Sequence, residues 1–267
     1  MTATTIARIL AIAGSDSSGG AGIQADIKAI TCLGGYAMTA VTAITVQDTR
    51  GVSAVHAVPP EIVAGQIRAC IDDIGVDAIK IGMLGNEAVI NAVADALAGC
   101  RVPIVLDPVM VAKGGAVLIE EDAVWAMVQR LLPMARVITP NVPELTALTE
   151  TEVEDAADML LAAQELLNAG PRAVLAKGGH LDGDTVTDWL VTRQGYQAFT
   201  DGRIDTRHSH GTGCTLSAAL ACALGQGLEL PAAVDLARAF VRQGLERAPG
   251  LGQGHGPLGF FPLPGRP

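Results

Sequence analysis

The chain has few aromatic and few charged side chains, and this scarcity limits the classes of protein to which it can belong. Aromatic residues make up 3% and charged residues 17% of its 267 residues, against 49% hydrophobic residues and 31 glycines. Intrinsically disordered chains are rich in charge and poor in aliphatic side chains, so this composition excludes disorder. It indicates instead a broad aliphatic core under short glycine-rich loops.

Positive charge is the scarcest kind of charge in the chain. The sequence has 18 Lys and Arg against 28 Asp and Glu, which gives a formal net charge of -10. No general positive field is therefore available to attract nucleic acid or an anionic membrane. A small-molecule partner fits this balance better.

The sequence also lacks paired cysteines and long apolar runs. Its five cysteines are odd in number and contain no Cys-x-x-Cys pair, which argues against a disulfide framework and a structural zinc site. The first apolar stretch is interrupted by Gly14, Ser15 and Asp16 before it reaches the length of a signal or of a membrane span. We therefore expect a cytoplasmic protein.

Short aliphatic runs alternate with helical patterns along most of the chain. A buried strand at residues 8–14 precedes a helix at 21–33, which Gly34 and Gly35 end. Such alternation predicts an α/β fold of three α/β/α layers, doubly wound, with a mainly parallel central sheet covered on both faces. Further strands are predicted at 78–82, 103–107, 136–139 and 172–177, and further helices at 86–98, 120–132 and 153–169.

Two segments depart from this alternation. Residues 38–46 and 52–58 are β-rich and are joined by Asp48-Thr49-Arg50-Gly51, which predicts a hairpin or a small lobe beside the main sheet. The end of the chain, from about residue 250, is rich in Gly and Pro and predicts little regular structure. With no internal repeat and no long linker, we expect a single domain over residues 1–267.

Residues that directly follow the predicted strands are the first candidates for function, because ligands of open parallel sheets bind outside the carboxyl ends of the strands. They comprise the loop 14–22, Met83, Asp107, Asn141 with Glu144, and Lys177. The loop resembles a phosphate-binding loop, but Gly20-Ala21 stands in place of Lys-Ser/Thr and the third glycine of a dinucleotide motif is missing. A simple strand-to-helix turn remains an alternative there.

A stronger signal is the run Gly211-Thr212-Gly213-Cys214 at the start of an apolar helix. Its glycines allow unpaired backbone N–H groups to converge on an anion such as a phosphoryl group, and the helix dipole favours negative charge there. The same position predicts a lowered pKa for the Cys214 thiol. The alternative is a glycine turn with a small buried cysteine.

Two acidic residues complete the candidates. Asp107 and Glu144 follow different strands whose ends meet at one edge of the sheet, and two carboxylates with phosphate oxygens are typical of a magnesium site. Taken singly, either residue is more often a helix cap or a surface acid.

Together these motifs resemble the hydroxymethylpyrimidine and phosphomethylpyrimidine kinases of thiamine biosynthesis, in the ribokinase-like superfamily. The resemblance covers residues 9–246, in which many specific motifs keep their order. The motifs are residues 13–26 (AGSDSSGGAGIQAD), 80–84 (KIGML), 107–113 (DPVMVAK), 139–144 (TPNVPE), 177–180 (KGGH) and 210–215 (HGTGCT).

The resemblance implies ATP-dependent, magnesium-assisted phosphorylation of 4-amino-5-hydroxymethyl-2-methylpyrimidine (HMP) and then of its monophosphate, by a homodimer. Of the implied pyrimidine-binding residues, Gln47 is chemically apt because its amide can donate to a ring nitrogen while accepting from the amino group. Cys214 is implied to be the base of the first transfer, beside an anion hole of Gly211, Thr212 and Gly213. The other implied residues are Gly14, Asp26, Met83 and Val109 for the pyrimidine, Asn141, Lys177, Lys113 and Thr212 for the nucleotide, and Asp107 and Glu144 for the metal.

Two other functions compete with this one. A pyridoxal or pyridoxine kinase of the same superfamily acts on a similar small ring, although pyridoxal-directed relatives can carry a second cysteine where this chain has Ala112. A non-catalytic sensor of thiamine precursors is expected to have lost Cys214, Asp107 or Glu144, and all three are present.

Overall fold

The computed structural model of the chain describes residues 6–112 and 114–263. Its strands are β1 (Arg8–Ala13), β2 (Tyr36–Val41), β3 (Ala43–Gln47), β4 (Val52–Ala57), β5 (Ala78–Ile81), β6 (Ile104–Leu106), β7 (Val137–Ile138), β8 (Ala173–Ala176), β9 (Thr185–Thr192) and β10 (Gly195–Gly202). Its helices are α1 (Gly22–Cys32), α2 (Pro60–Ala69), α3 (Glu87–Ala96), α4 (Glu121–Arg130), α5 (Val142–Thr149), α6 (Ala156–Asn168), α7 (Thr212–Gly225) and α8 (Leu230–Glu246).

Eight strands form one sheet in the order β10-β9-β8-β7-β6-β5-β1-β2. The pairs from β2 to β8 are parallel, whereas β9 and β10 add an antiparallel edge. The predicted mainly parallel α/β sheet is therefore confirmed. The antiparallel hairpin of β9 and β10 was not predicted.

Helices cover both faces of this sheet, which explains why central parallel strands such as Ile104–Leu106 and Ala173–Ala176 are apolar along their whole length. Side chains alternate between the faces, so Ile9 packs with α1, α7 and α8 while Leu10 and Ile12 pack with the helices α2, α3, α4 and α6. All three residues are 0% exposed. The result is two hydrophobic cores separated by one sheet.

The β-rich segment after α1 is divided between two sheets. β2 joins the main sheet beside β1, and β3 pairs with β4 in a separate two-stranded antiparallel sheet. The division occurs at Thr42, whose N–H donates to the Ala13 carbonyl at the end of β1 and whose hydroxyl donates to the Met83 carbonyl. The prediction of one hairpin flanking the sheet is thus correct for β3 and β4 and wrong for β2.

The last described residues lack helix and strand but pack closely against the rest of the chain. Leu258 is buried, and the Gly259 N–H donates to the Gly244 carbonyl of α8. The His210 N–H donates to the Gly256 carbonyl, which ties this segment to the turn before α7. None of the helices within the described part of the chain combines the length and the apolar character that crossing a membrane requires.

Candidate active site

A cavity of about 890 Å³ opens at the carboxyl ends of the parallel strands. Ligands of such sheets bind at this edge. Asp26 is not among the lining residues, and Lys113 lies outside the described residues. The other predicted site residues all line the cavity: Gly14, Gln47, Met83, Asp107, Val109, Asn141, Glu144, Lys177, Gly211, Thr212, Gly213 and Cys214.

Asp107 and Lys177 form an ion pair on the cavity wall. The Lys177 Nζ lies 3.1 Å from Asp107 Oδ1, which also accepts a hydrogen bond from Thr139 Oγ1 at 3.0 Å. Ser217 Oγ donates to the other carboxylate oxygen at 3.2 Å. Burial opposes ionisation of Asp107, but the ammonium groups of Lys177 and Lys80 outweigh it and lower its pKa. Asp107 is therefore an anion held in a fixed orientation.

Glu144 serves both as a cavity residue and as a helix cap. Asn141 Oδ1 accepts from the Glu144 N–H at 2.9 Å, and Glu144 Oε2 accepts from the Asn141 N–H at 2.8 Å, which is a capping box at the start of α5. Burial raises the pKa of Glu144 to about 7 even though Lys177 Nζ lies 3.8 Å away, because the nearby Asp107 carboxylate raises it further. Its charge is thus sensitive to a cation in the cavity.

The two carboxylates fit a magnesium ion. Among the residues that the structure describes, no group of three or more His, Cys, Asp or Glu side chains is arranged to enclose a metal. Mg²⁺ does not need such a cage, since it is commonly held by one or two carboxylates together with phosphate oxygens and water. Asp107 and Glu144 supply the hard oxygen ligands that this mode requires.

The turn before α7 adopts the anion-binding shape that its glycines predict. Gly211 has φ +83° and caps the helix, and the Thr215 N–H makes an intrahelical bond to its carbonyl. The Thr212 N–H makes a long hydrogen bond of 3.4 Å to the Ser209 carbonyl, and the N–H groups of Gly213 and Cys214 have no intrahelical acceptor in the first turn. A Cβ at Gly213 would lie 3.3 Å from Lys177 Nζ and 3.6 Å from Asp107 Oδ2, so this glycine brings the turn close to the ion pair.

The first glycine-rich loop packs directly against this turn. A Cβ at Gly20 would lie 2.4 Å from the His210 ring, and a Cβ at Gly211 would lie 1.8 Å from the Gly20 carbonyl oxygen. A larger residue at Gly20 or at Gly211 would therefore clash where the two loops touch. The loop 14–22 lines the cavity without a standard nucleotide motif.

The predicted lowering of the Cys214 pKa is wrong. Burial raises the pKa of this thiol to about 11, and the carboxylates of Asp26 and Asp107 raise it further, whereas the Lys80 ammonium and the Gly22 N–H lower it. The argument from the helix N-terminus omitted the cost of removing a thiolate from water. In this structure Cys214 is a thiol at neutral pH.

Asp26 lies beneath the cavity, in a buried ion pair that sequence reasoning missed. Its Oδ2 is 2.9 Å from Lys80 Nζ, and both side chains are 0% exposed. Lys80 points to the same face of β5 as Ala78, toward α1 and α7, because side chains alternate along a strand. Asp26 therefore does not touch the cavity as a pyrimidine ligand would. A lysine inside the apolar strand Ala78–Ile81 was the available signal.

A second buried pair connects the first loop to Gln47. Asp16 Oδ2 lies 2.8 Å from His210 Nε2, and its carboxylate also accepts the N–H groups of Ser18, Gly20 and Ala21. His210 Nε2 is 3.4 Å from the Gln47 side-chain nitrogen. Asp16 and His210 belong to the motifs at 13–26 and 210–215, but the sequence alone predicted no role for either residue.

The residues at the end of the cavity formed by α8 and the antiparallel edge of the sheet were also not predicted from the sequence. The wall there includes Arg238, which forms ion pairs with Asp188 and Asp201, and the Gly178 N–H donates to Asp188 at 2.9 Å. These residues connect α8 to the antiparallel edge of the sheet, which the strand predictions did not contain. Apolar lining residues at this end are Val186, Ile204, Val241 and Leu245.

Comparison with known sequences gives matches over nearly the whole chain. Residues 16–259 match the family model described as phosphomethylpyrimidine kinase. A hydroxymethylpyrimidine/phosphomethylpyrimidine kinase of Rhizobium meliloti is 46% identical over 255 residues, which cover 94% of this chain and 96% of that protein. The thiamine biosynthesis bifunctional protein ThiED of Geobacter sulfurreducens is 46% identical over 94% of this chain, which matches 51% of that longer protein.

Solved structures of kinases share the fold. The pyridoxal kinase of Staphylococcus aureus in complex with AMP-PCP superposes with a TM-score of 0.90 at 34% identity, covering 98% of this chain and 96% of that one. AMP-PCP is an analogue of ATP.

Proposed function

The chain belongs to the phosphomethylpyrimidine kinase family, and we propose that it phosphorylates HMP and then HMP monophosphate with ATP, as a step of thiamine biosynthesis. One observation carries this proposal: a single cavity contains an anion-binding turn, a lysine between two carboxylates, and a side-chain amide. The turn is Gly211–Cys214, the cluster is Lys177 with Asp107 and Glu144, and the amide is that of Gln47.

The pyrimidine occupies the end of the cavity near Gln47. Gly14 and Met83 are in such close contact that a Cβ at Gly14 would lie 2.9 Å from the Met83 sulfur, and Val109 lines the same cavity. Apolar walls with one convergent polar group are typical of sites for small aromatic rings. Gln47 supplies that polar group, as a donor to the ring nitrogen and an acceptor from the amino group.

Phosphoryl transfer takes place between the turn and the cluster. The backbone N–H groups of Gly211–Cys214 stabilise the transferring group on one side, and Lys177 and Asn141 contact the nucleotide phosphates on the other. Magnesium held by Asp107 and Glu144 would neutralise charge on the phosphate oxygens. The adenine base fits against Val186, Ile204, Val241 and Leu245.

Cys214 accepts the hydroxyl proton of HMP in the first transfer. Because its pKa is about 11, the reactive thiolate is a minor species at neutral pH. The second transfer needs no such base, since the second pKa of a phosphate monoester is about 6 and the nucleophile is already ionised. The two steps therefore share the anion hole and differ in their need for Cys214.

A pyridoxine or pyridoxal kinase is the second candidate, because the chain superposes closely on a pyridoxal kinase. Against it, Ala112 lines the cavity where pyridoxal-directed relatives can carry a second cysteine. ATP consumption is measured with HMP, HMP monophosphate and pyridoxine, and phosphorus NMR distinguishes monophosphate from diphosphate products. We expect turnover of the first two substrates, and turnover of pyridoxine alone would contradict the proposal.

We also propose that the enzyme is a cytoplasmic homodimer. No disulfide joins the cysteines that the structure describes, which fits a reducing compartment. Ile44, Val46 and Val55 are exposed on the sheet of β3 and β4, where a second copy can cover them. Light scattering on the purified protein measures the mass, and a monomer would contradict this assignment.

A further inference from the structure

The side-chain amide of Gln47 is held between Thr45 and His210. Gln47 Oε1 lies 3.1 Å from Thr45 Oγ1, and Gln47 Nε2 lies 3.4 Å from His210 Nε2. Its backbone is also clamped, because Ser17 Oγ accepts from the Gln47 N–H at 2.9 Å and donates to the Gln47 carbonyl at 2.7 Å. The position of this amide is therefore fixed, and the hydrogens around it decide which way it faces.

His210 Nε2 cannot accept a hydrogen bond from Gln47, because it carries the hydrogen that it donates to Asp16. Burial opposes ionisation of Asp16, but hydrogen bonds from His210, Ser18 and Ala21 outweigh it and lower the Asp16 pKa to about 2. An ionised carboxylate only accepts, so the His210 Nε2 atom that lies 2.8 Å from Asp16 must carry the hydrogen. An amide N–H₂ group beside that N–H would place two donors together.

Thr45 can only be an acceptor toward Gln47. Its hydroxyl has one hydrogen, which it donates to the Ser15 carbonyl at 2.7 Å. No hydrogen remains for an amide oxygen at 3.1 Å, whereas its lone pairs can accept from an amide N–H. Both neighbours therefore favour the orientation in which the two ends of the amide are exchanged.

We propose that Asp16, His210 and Thr45 are positioning residues that hold the Gln47 amide with its oxygen toward His210 and its nitrogen toward Thr45. This inference rests on the proposed function. Held in this way, Gln47 accepts from an exocyclic amino group on the His210 side and donates to an unprotonated ring nitrogen on the Thr45 side. The site thereby selects a 4-aminopyrimidine and rejects the 4-oxo form, in which donor and acceptor are interchanged.

The same orientation directs the reacting group. In HMP the hydroxymethyl carbon neighbours the amino-bearing carbon, on the side away from the ring nitrogen that Gln47 reads. An amino group on the His210 side therefore directs the hydroxymethyl group toward the turn Gly211–Cys214, which follows His210 directly in the chain. Base recognition and the alignment of the hydroxyl thus depend on one amide.

The test compares HMP with its 4-oxo analogue, 5-hydroxymethyl-2-methylpyrimidin-4-one, in the wild-type enzyme, His210→Leu and Thr45→Val. We expect the wild type to prefer HMP by roughly 100-fold or more in kcat/KM, because the analogue leaves fixed polar groups unpaired. Each change removes one of the two constraints on the amide orientation and lets the amide turn over, so each variant should lower this preference about 10-fold. The expected signature is a rise in kcat/KM for the analogue, which a loss of structure would not produce.

His255→Leu is the matched control, because His255 is exposed and does not line the cavity. An unchanged preference in both test variants, with HMP still turned over, would overturn the inference. Nitrogen-15 NMR of the wild-type enzyme decides the matter if the variants fail to fold: an unprotonated His210 Nε2 at neutral pH overturns it, and a protonated one supports it. Absence of any HMP turnover by the wild-type enzyme would overturn the proposed function instead.

Discussion

Two lysine–carboxylate pairs lie within or directly after the parallel strands, and they differ mainly in their access to the cavity. Lys177 Nζ lies 3.1 Å from Asp107 with its side chain 14% exposed, whereas Lys80 Nζ lies 2.9 Å from Asp26 with both side chains 0% exposed. The first pair lines the cavity, and the second lies beneath it. The same chemical groups are therefore placed in two different environments.

Because of this difference, Lys177 can act by direct contact with a ligand, whereas Lys80 can act only through its electrostatic field. An ammonium on the cavity wall can turn toward a phosphate, whereas a sealed ammonium acts only through its charge on neighbours such as the Cys214 thiol. The buried pair of Lys80 and Asp26 is also tightly packed, because a Cβ at Gly82 would lie 2.6 Å from Lys80 Nζ. We expect Lys177 to matter mainly for the reaction and Lys80 mainly for folding.

Lys80→Met should have the largest effect of the changes considered. It leaves the Asp26 carboxylate buried without a counterion, which costs about 3–5 kcal/mol of unfolding free energy. Urea denaturation at neutral pH measures this loss. The double change Lys80→Met with Asp26→Leu should recover most of it, because apolar side chains can replace a buried ion pair. A single variant as stable as the wild type would contradict the assigned role.

Lys177→Met should instead act on the rate. Removing one preorganised charge from a phosphoryl-transfer site costs roughly 100- to 1000-fold in kcat. Asp107 keeps hydrogen bonds from Thr139 and Ser217, so the free energy of unfolding should fall less than in Lys80→Met. Rates on HMP and on its monophosphate should fall together. If the rates change by only a few fold while stability collapses, the comparison of the two pairs is wrong.

Cys214→Ala tests a residue that both pairs influence. We expect phosphorylation of HMP to slow by roughly 100-fold, because a general base is lost. Phosphorylation of HMP monophosphate should slow much less, since its nucleophile is already ionised. Single-turnover rates measure each step, and Cys222→Ala is the control, because Cys222 is buried on the same helix outside the cavity. Equal losses in both steps would refute this division.

The sequence was sufficient to predict the parallel sheet and most of the cavity wall. Apolar strands such as Ile104–Leu106 carry a clear pattern, and the polar residue after each strand falls at the ligand-binding edge by topology alone. α5 was missed although its capping box was readable in Asn141-Val142-Pro143-Glu144. That signal was interpreted mainly as a metal and nucleotide motif, with a helix cap at Glu144 as the alternative.

Contacts between distant segments could not be predicted in this way. Lys80 and Asp26 are 54 residues apart, and Asp16 and His210 are 194 apart, so no local pattern pairs them. The wrong direction for the Cys214 pKa has the same origin. The helix terminus that favours a thiolate is visible in the sequence, whereas the burial that opposes it arises only when the chain folds.

The pH dependence of the two steps gives the smallest and most specific test. Burial raises the Cys214 pKa to about 11, so the thiolate fraction should grow about tenfold for each pH unit between pH 7 and 9. Single-turnover kcat/KM for HMP should rise in proportion over this range, whereas the rate for HMP monophosphate, whose second pKa is about 6, should stay nearly flat. Cys214→Ala should flatten the HMP profile. A flat wild-type profile for HMP would mean that the hydroxyl proton does not leave through Cys214, and the reaction would then depend on the cavity-wall pair and the anion hole alone.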